Sequence, residues 1–238
     1  MRKAVLFDLD GTLLPMDQDE FVKGYFGLLC QKMAPYGYEP KTLVKAIWGG
    51  TEAMVKNDGS CTNEEAFWRF FLGIYGEHAR EHVPLFEEFY AKEFQQARGF
   101  CGYTPRSRET LDLAKALGLR AILATNPLFP AIATESRIRW AGLVPEDFEL
   151  YTTYENSSTC KPNPDYYREM LEKQKLRPED CLMVGNDVDE DMVAETLGLE
   201  VFLLTDCLLN RHGADLSRWP HGGFAQLQTW LKEKAGQI

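Results

Sequence analysis

The stretch that most constrains this chain is a short apolar run that ends in two acidic residues. Residues 4–7 are all apolar, and Asp8, Asp10 and Gly11 follow directly. A run of this length predicts a strand that is buried on both faces of a parallel sheet. Because side chains alternate along an extended chain, both carboxylates are expected on the same side. Open α/β sheets place their chemistry at the carboxyl ends of such strands, so this stretch is a candidate catalytic site.

Two carboxylates this close together require compensation of their charge. Like charges repel at short range, which calls for a bound cation or a shared proton. The chain as a whole is acidic, with a formal net charge of -10 at pH 7 over 238 residues. That balance argues against nucleic acid as a partner, because phosphate backbones attract basic surfaces. An anionic substrate would need a local positive centre, such as a metal ion or a lysine.

The cysteines and the hydropathy of the chain indicate the cellular compartment of the protein. The chain has six cysteines, none of them in a C-x-x-C pair, which favours reduced thiols over a disulfide framework or a zinc site. A signal peptide would need a longer apolar stretch near the start. No run approaches the ~20 apolar residues of a membrane-spanning helix. We therefore expect a cytoplasmic protein without a membrane partner, either a monomer or a small homo-oligomer.

Helical and strand patterns divide the chain into two kinds of region. Between about residues 15 and 102, apolar residues recur at helical spacing in four segments with no strand between them. Later in the chain, short apolar runs alternate with helical segments, as in a parallel sheet covered by helices on both faces. We predict an α/β, Rossmann-like core domain from residues 1–14 and 103–238. An all-helical domain of residues 15–102 is inserted into it.

Some residues of the inserted helices have a functional and a structural interpretation. The aromatic residues could line a substrate pocket, but the core of a small bundle is the simpler interpretation. His78 and His82 are four residues apart, but Pro84 follows closely and no third metal ligand is evident. Asn63 precedes two acidic residues and is expected to cap the third helix.

Further polar residues follow predicted strands or open predicted helices. Thr125 and Asn126 end a strand, Lys161 stands in a loop that opens a helix, and the acidic segment 185–191 follows another strand. Loops at the carboxyl ends of parallel strands converge on one crevice, so these residues should lie beside the two N-terminal carboxylates. A hydroxyl, a cation and several carboxylates suit an oxygen-ligated metal ion and a phosphoryl group.

These motifs, in this order, resemble those of the haloacid dehalogenase superfamily. They are Asp8-Leu9-Asp10-Gly11-Thr12, Thr125, Lys161, and the pair Asp187 and Asp191. The resemblance covers the whole chain, and the helical insertion is similar to the superfamily's C1-type cap. It implies a Mg²⁺-dependent phosphatase that hydrolyses a small phosphorylated metabolite through an aspartyl-phosphate intermediate.

The resemblance also implies a role for each matching residue. Asp8 would be the nucleophile that attacks phosphorus. Asp10 would be the general acid that protonates the leaving oxygen, and then the base that activates water. Thr125 and the backbone N–H of Asn126 would hold the phosphoryl oxygens. Lys161 would offset the negative charge on the nucleophile and the phosphate.

A metal site follows from the same resemblance. Mg²⁺ would bind the Asp8 carboxylate, the backbone carbonyl of Asp10, and Asp187. Asn186 precedes Asp187 where the commoner family pattern has Gly directly before Asp, so either residue could take the ligand position. We favour Asp187, because a carboxylate binds Mg²⁺ better than an amide does. Asp191, one helical turn on, would be a further ligand or would support one.

Alternative activities differ in the residues they require. Dehalogenases of the superfamily share the nucleophile but lack the second acid, so Asp10 favours phosphoryl chemistry. A phosphomutase would use the same residues with another acceptor. A non-catalytic phosphate-binding or regulatory protein would need no Asp10. Cys160, beside Lys161, is also a candidate activated thiol.

Overall fold

A computed structural model describes residues 2–236, and one parallel sheet runs through the centre of them. Its strands are β1 (Ala4–Phe7), β2 (Arg120–Leu123), β3 (Leu150–Tyr151), β4 (Cys181–Gly185), β5 (Glu200–Leu204) and β6 (His221–Gly222). Their spatial order is β3-β2-β1-β4-β5-β6, and every pairing is parallel. β1 therefore lies in the middle, between β2 and β4.

Eight α-helices accompany the sheet within the described residues. They are α1 (Gln18–Met33), α2 (Pro40–Val55), α3 (Asn63–Tyr75), α4 (Val83–Ala91), α5 (Arg106–Ala116), α6 (Ala131–Trp140), α7 (Pro164–Gln174) and α8 (Phe224–Ala235). None of these helices is both long and apolar enough to cross a lipid bilayer.

Side chains of β1 alternate between two apolar layers, one on each face of the sheet. Val5 and Phe7 pack in the layer that contains residues of α5 and α8. Ala4 and Leu6 pack in the other layer, which contains residues of α7. The period-two alternation of a strand gives both faces of β1 an apolar surface to bury. The predicted α/β fold, with a parallel sheet and helices on both faces, is confirmed.

The chain after β4 contains two short elements. Met192–Leu197 is a 3₁₀-helix, which ends at Gly198 in a left-handed conformation. The C-terminal region adds the edge strand β6 as well as α8. That strand is only two residues long, so its sequence carries no strand periodicity.

Helices α1–α4 all lie between β1 and β2 in the chain, as predicted for the inserted region. The two connections run side by side: Gly102 N donates to Pro15 O at 2.7 Å, and Met16 and Cys101 form an antiparallel bridge. The domain limits at residues 15 and 102 stay a prediction. Met1, Gln237 and Ile238 of the predicted core domain lie outside the described residues.

Thr62, rather than Asn63, caps α3. The Thr62 hydroxyl accepts a hydrogen bond from the N–H of Glu65, and the Glu65 carboxylate accepts one from the N–H of Thr62. This capping box satisfies the start of the helix without Asn63, so the predicted cap was wrong by one residue. Asn63 is fully buried instead, and its amide nitrogen lies 3.2 Å from the carbonyl oxygen of Thr159. It thereby ties the helical insertion to the loop that carries Lys161.

Close packing of α2 against α3 depends on a glycine, which yields a stability prediction. A Cβ atom at Gly50 would lie 2.5 Å from a ring carbon of Phe67, whereas one at Gly27 on α1 would meet nothing within 4 Å. We expect Gly50→Ala to lower the free energy of unfolding by about 1–3 kcal/mol through overpacking. Gly27→Ala is the matched control and should raise it by up to about 1 kcal/mol, because alanine favours helix. Urea denaturation measures both, and equal effects would contradict the packing argument.

Candidate active site

The carboxyl ends of the central strands border a cavity of about 200 Å³. Seven of the predicted site residues line it: Asp8, Asp10, Thr125, Asn126, Asn186, Asp187 and Asp191. Apolar side chains of the helical insertion also line it, namely Phe21, Val22 and Trp48. The structure thus brings the predicted residues together, and it places the inserted helices on the same side of the sheet.

Asp8 is fixed by the end of β1 and by the turn that follows. Its backbone N–H donates to Val184 O at 2.9 Å, which continues the pairing with β4. Gly11 has φ +87°, and a Cβ there would lie 2.3 Å from the Asn186 amide nitrogen, so only glycine fits this turn. The turn places the Thr12 hydroxyl 3.0 Å from Asp8 Oδ2 and 3.0 Å from Asn186 Oδ1.

Lys161 is a buried cation between two carboxylates. Its Nζ donates to Asp8 Oδ1 at 2.9 Å and to Asp191 Oδ1 at 2.6 Å, and the side chain is only 1% exposed. The other oxygen of Asp191 accepts from the N–H of Asp187 at 2.9 Å. Gly185 makes room for this arrangement, since a Cβ there would lie 2.0 Å from Asp191 Oδ2.

This cluster has one positive charge for two negative charges. Burial alone lowers the pKa of Lys161, but Asp191 and Asp8 outweigh burial and hold that pKa well above its usual value. Burial raises the pKa of Asp191, and Lys161 offsets that only in part. Lys161 therefore stays protonated, and the cluster has one carboxyl group more than it has cations.

Asn186 presents its amide oxygen toward the nucleophile strand. Its Nδ2 donates to Cys207 O at 2.7 Å, which fixes the orientation of the amide. The Oδ1 atom then faces the Thr12 hydroxyl, which also contacts Asp8. Asn186 is therefore placed to supply an oxygen ligand next to Asp8.

Asp187 is more heavily hydrogen-bonded. Its Oδ1 accepts from the N–H groups of Asp189 at 2.9 Å and Glu190 at 3.1 Å, and its Oδ2 accepts from Arg211. An ionised carboxylate has about four acceptor positions, so Asp187 retains capacity on Oδ2. Asp189 differs, because its side chain is 41% exposed and lies near His212.

Arg137 is a site residue that the sequence analysis missed. It extends from α6, is 1% exposed, and donates from Nη1 to Asp10 Oδ2. Its guanidinium carbon lies 4.5 Å from the centre of the Phe129 ring. Its position in the helix could have identified it. Arg137 lies four residues after Ala133, a spacing that places both side chains on the buried face of α6.

The remaining oxygen of Asp10 has a different environment. Asp10 Oδ1 is buried and has no hydrogen-bond partner among residues 2–236. Burial raises the pKa of Asp10, Arg137 opposes that rise, and the nearby Asp8 adds to it. One carboxyl oxygen is thus held by a cation while the other remains open to a proton or a ligand.

Glu190 belongs to the predicted acidic segment 185–191, but its contact with Asn126 was not predicted. The Asn126 amide donates to Glu190 Oε2 at 3.1 Å and accepts from the N–H of Lys161 at 3.3 Å. Burial raises the pKa of Glu190 to about 7, although Lys161 opposes the shift. Thr125 is 2% exposed, and its carbonyl oxygen accepts from Tyr166 at 2.9 Å, which fixes the strand end.

Cys160 does not have the environment of an activated thiol. It is 1% exposed, and its Sγ lies 3.2 Å from the amide nitrogen of Asn63. Burial raises the pKa of this thiol well above its usual value, and Glu190 adds to the rise. A reactive cysteine needs an exposed, electropositive setting that lowers its pKa. The thiol hypothesis is therefore wrong.

The donors in the cavity fit a Mg²⁺ ion. They are carboxylate, amide and carbonyl oxygens, which this cation prefers. Of residues 2–236, those that line the cavity include several carboxylates and no cationic side chain, which favours a bound cation. Within the described residues, no group of three or more His, Cys, Asp or Glu side chains forms a preassembled metal site. The predicted ligand set does not require one, because a backbone carbonyl is among its members.

Comparison with known proteins agrees with this geometry. The family model for haloacid dehalogenase-like hydrolases matches residues 2–194. A phosphoglycolate phosphatase from Nitrosospira multiformis is 26% identical over 203 residues, covering 84% of this chain and 82% of that protein.

Two solved structures are similar in fold. A 2-haloacid dehalogenase from Pseudomonas syringae pv. Tomato superposes with a TM-score of 0.64 at 21% identity, over 98% of this chain and 100% of that one. A family enzyme from Bacteroides thetaiotaomicron was solved with magnesium and inorganic phosphate. It has a TM-score of 0.52 at 18% identity, over 92% of this chain and 98% of that one.

Because Arg137 and Asp10 form a buried ion pair, replacement of Arg137 should lower the free energy of unfolding by an amount that depends on pH. Arg137 lowers the pKa of Asp10, so Arg137→Met should raise that pKa further above its unfolded value. A carboxyl whose pKa rises on folding favours the folded state at low pH, and this contribution is lost as the pH rises through the folded pKa. We expect Arg137→Met to cost about 3 kcal/mol at pH 8, and less at pH 5.

Denaturation in the presence of EDTA measures this effect without a metal contribution. Arg139→Met is the matched control, because Arg139 lies on the same helix and makes an exposed pair with Glu135. Its cost should stay below about 1 kcal/mol at both pH values. An Arg137→Met cost that does not grow with pH would contradict the assigned ion pair.

Proposed function

Because this chain belongs to the haloacid dehalogenase-like hydrolases, we propose that it is a Mg²⁺-dependent phosphatase of small phosphate monoesters. The observation that carries the proposal is the pair Asp8 and Asp10 in one cavity, each with its own cationic partner. The phosphatase activity in the name of the Nitrosospira multiformis relative supports phosphoryl chemistry.

Asp8 is the proposed nucleophile. Lys161 holds its Oδ1 and the Thr12 hydroxyl contacts its Oδ2, so the carboxylate keeps one orientation toward the cavity. One of its oxygens attacks phosphorus and forms an aspartyl-phosphate. The bond from phosphorus to the ester oxygen breaks, and its electron pair leaves with the alcohol. The positive charge of Lys161 favours the ionised, nucleophilic form of the carboxylate.

Asp10 is the proposed acid and then base. Arg137 holds its Oδ2, which leaves Oδ1 free to carry a proton. Asp10 gives that proton to the departing alcohol oxygen. It then takes a proton from the water that attacks the aspartyl-phosphate, which releases inorganic phosphate and restores Asp8. The two carboxylates have different neighbours, and this difference separates their protonation states.

The remaining polar residues bind the phosphoryl group and the metal ion. Thr125, the N–H of Asn126 and Lys161 would hold phosphoryl oxygens. Asp8, the carbonyl of Asp10 and Asp187 would hold Mg²⁺, with Asn186 as the alternative to Asp187 and Asp191 as a support. When bound, the ion would supply positive charge that offsets the charge of the phosphoryl oxygens.

The helical insertion, residues 15–102, is the proposed cap over this site. Its Phe21, Val22 and Trp48 form part of the cavity wall. An apolar cover of this kind excludes bulk water during transfer and leaves room for a small phosphorylated metabolite rather than a folded protein.

Replacement of the nucleophile is the primary test of the function. Asp8→Asn should lower the rate of phosphate release from 4-nitrophenyl phosphate with Mg²⁺ by at least about a thousandfold, because an amide cannot attack phosphorus. Asp189→Asn, in an exposed part of the same site region, is the control and should keep wild-type activity. Wild-type turnover by Asp8→Asn, after mass spectrometry excludes deamidation, would refute the nucleophile assignment.

The metal-ligand assignment makes a separate prediction. Asp187→Asn should raise the Mg²⁺ concentration for half-maximal activity by at least about tenfold, whereas Asp189→Asn should leave it unchanged. Titration of activity with Mg²⁺ measures both. If Asp187→Asn has no effect and Asn186→Ala raises that concentration instead, the ligand position belongs to Asn186.

A further inference from the structure

A second cavity, of about 160 Å³, lies beside the catalytic cavity, and it is lined by the helical insertion and by five later residues that include Phe129 and Tyr154. Its lining is mostly apolar and includes the rings of Tyr25, Phe67, Trp68, Phe86 and Tyr90. We propose that it binds the alcohol part of the substrate, and that this alcohol carries an uncharged, apolar body such as an aromatic ring. This inference rests on the proposed phosphatase function and specifies its substrate class.

The two cavities are adjacent. Val22, Trp48, Leu128 and Phe129 line both of them. A substrate whose phosphate lies among the carboxylates would extend past these four side chains to reach the second cavity. Protein cores contain few voids larger than a water molecule, so an apolar cavity beside a catalytic site indicates a binding site.

The expected position of the leaving group also favours the second cavity. The leaving oxygen must face Asp10, which is the proposed proton donor. Arg137 donates to Asp10, and its guanidinium lies 4.5 Å from the centre of the Phe129 ring. Phe129 is thus close to the leaving-group side of the catalytic site and is also a wall of the second cavity. The alcohol that departs from phosphorus is consequently directed toward the aromatic lining.

The charges of the lining exclude a second anionic group on the substrate. Among the described residues that line this cavity, Glu87 carries the one carboxylate, and Lys, Arg and His are absent. A carboxylate or second phosphate would be desolvated there without a counter-ion, which is strongly unfavourable. Phosphoglycolate, which appears in the name of the Nitrosospira multiformis relative, carries such a carboxylate. Hydroxyl groups are compatible, because Tyr25 and Tyr90 place their own hydroxyls 2.9 Å apart in the lining.

The substrate preference of the wild-type enzyme is the first test. Benzyl phosphate, ethyl phosphate and phosphoglycolate are all esters of alkyl alcohols, so they differ mainly in what the second cavity must accept. We expect kcat/KM for benzyl phosphate to exceed that for each of the other two by roughly tenfold or more. Equal values, or a preference for phosphoglycolate, in an enzyme that turns over 4-nitrophenyl phosphate would overturn this inference alone. If the enzyme hydrolyses none of the four esters, 4-nitrophenyl phosphate included, the phosphatase proposal on which the inference rests would be overturned.

A charge placed in the lining is the second test. Thr51 lines only the second cavity, and Val55 lies on the same helix and lines neither cavity. Thr51→Arg should lower the preference for benzyl phosphate over phosphoglycolate by at least about tenfold. Val55→Arg, the matched control, should retain the wild-type preference. An equal effect from both variants, or an unchanged preference in a folded Thr51→Arg enzyme, would contradict the assigned substrate position.

Discussion

The salt bridge of Lys161 with Asp8 and Asp191 is the interaction on which the rest of the site depends. It joins the end of β1, the loop before α7 and the segment after β4, which are distant in the chain and meet only at the sheet edge. Burial makes each of these charges costly unless it is paired. The cluster therefore fixes the positions of three loops at once. Its net negative charge also attracts a further cation, which is the condition a magnesium site requires.

A second buried cation gives Asp8 and Asp10 different environments. Arg137 approaches Asp10 from α6, on the side of the cavity formed by Phe129, while Lys161 holds Asp8. Each acid is thereby oriented by its own partner, and neither cation is shared directly between them. This separation allows two neighbouring carboxylates to act in different protonation states, as the proposed mechanism requires. The contact from Asn63 to the Lys161 loop further ties the helical insertion to the same catalytic frame.

The helical insertion supplies side chains to the lining of both cavities. Its aromatic side chains form its core, as expected for a small bundle, but several of them also surround an apolar cavity beside the carboxylates. The two interpretations of these residues are thus compatible. Four side chains line both this cavity and the cavity at the sheet edge. In the proposed function, the sheet edge would carry the phosphoryl chemistry and the aromatic cavity would select the substrate.

The sequence alone determined the parallel sheet and the position of most polar site residues. An apolar run followed by Asp8 and Asp10, and the strand ends at Thr125 and after residue 184, are local patterns that report burial and chain direction. Only the tertiary structure revealed Arg137, the contact of Glu190 with Asn126, and the second cavity. Arg137 and Asp10 are 127 residues apart, and periodicity shows that a helix face is buried but not which group it meets. Partners across such separations are chosen by packing and by the pairing of buried charges, which exist only once the chain has folded.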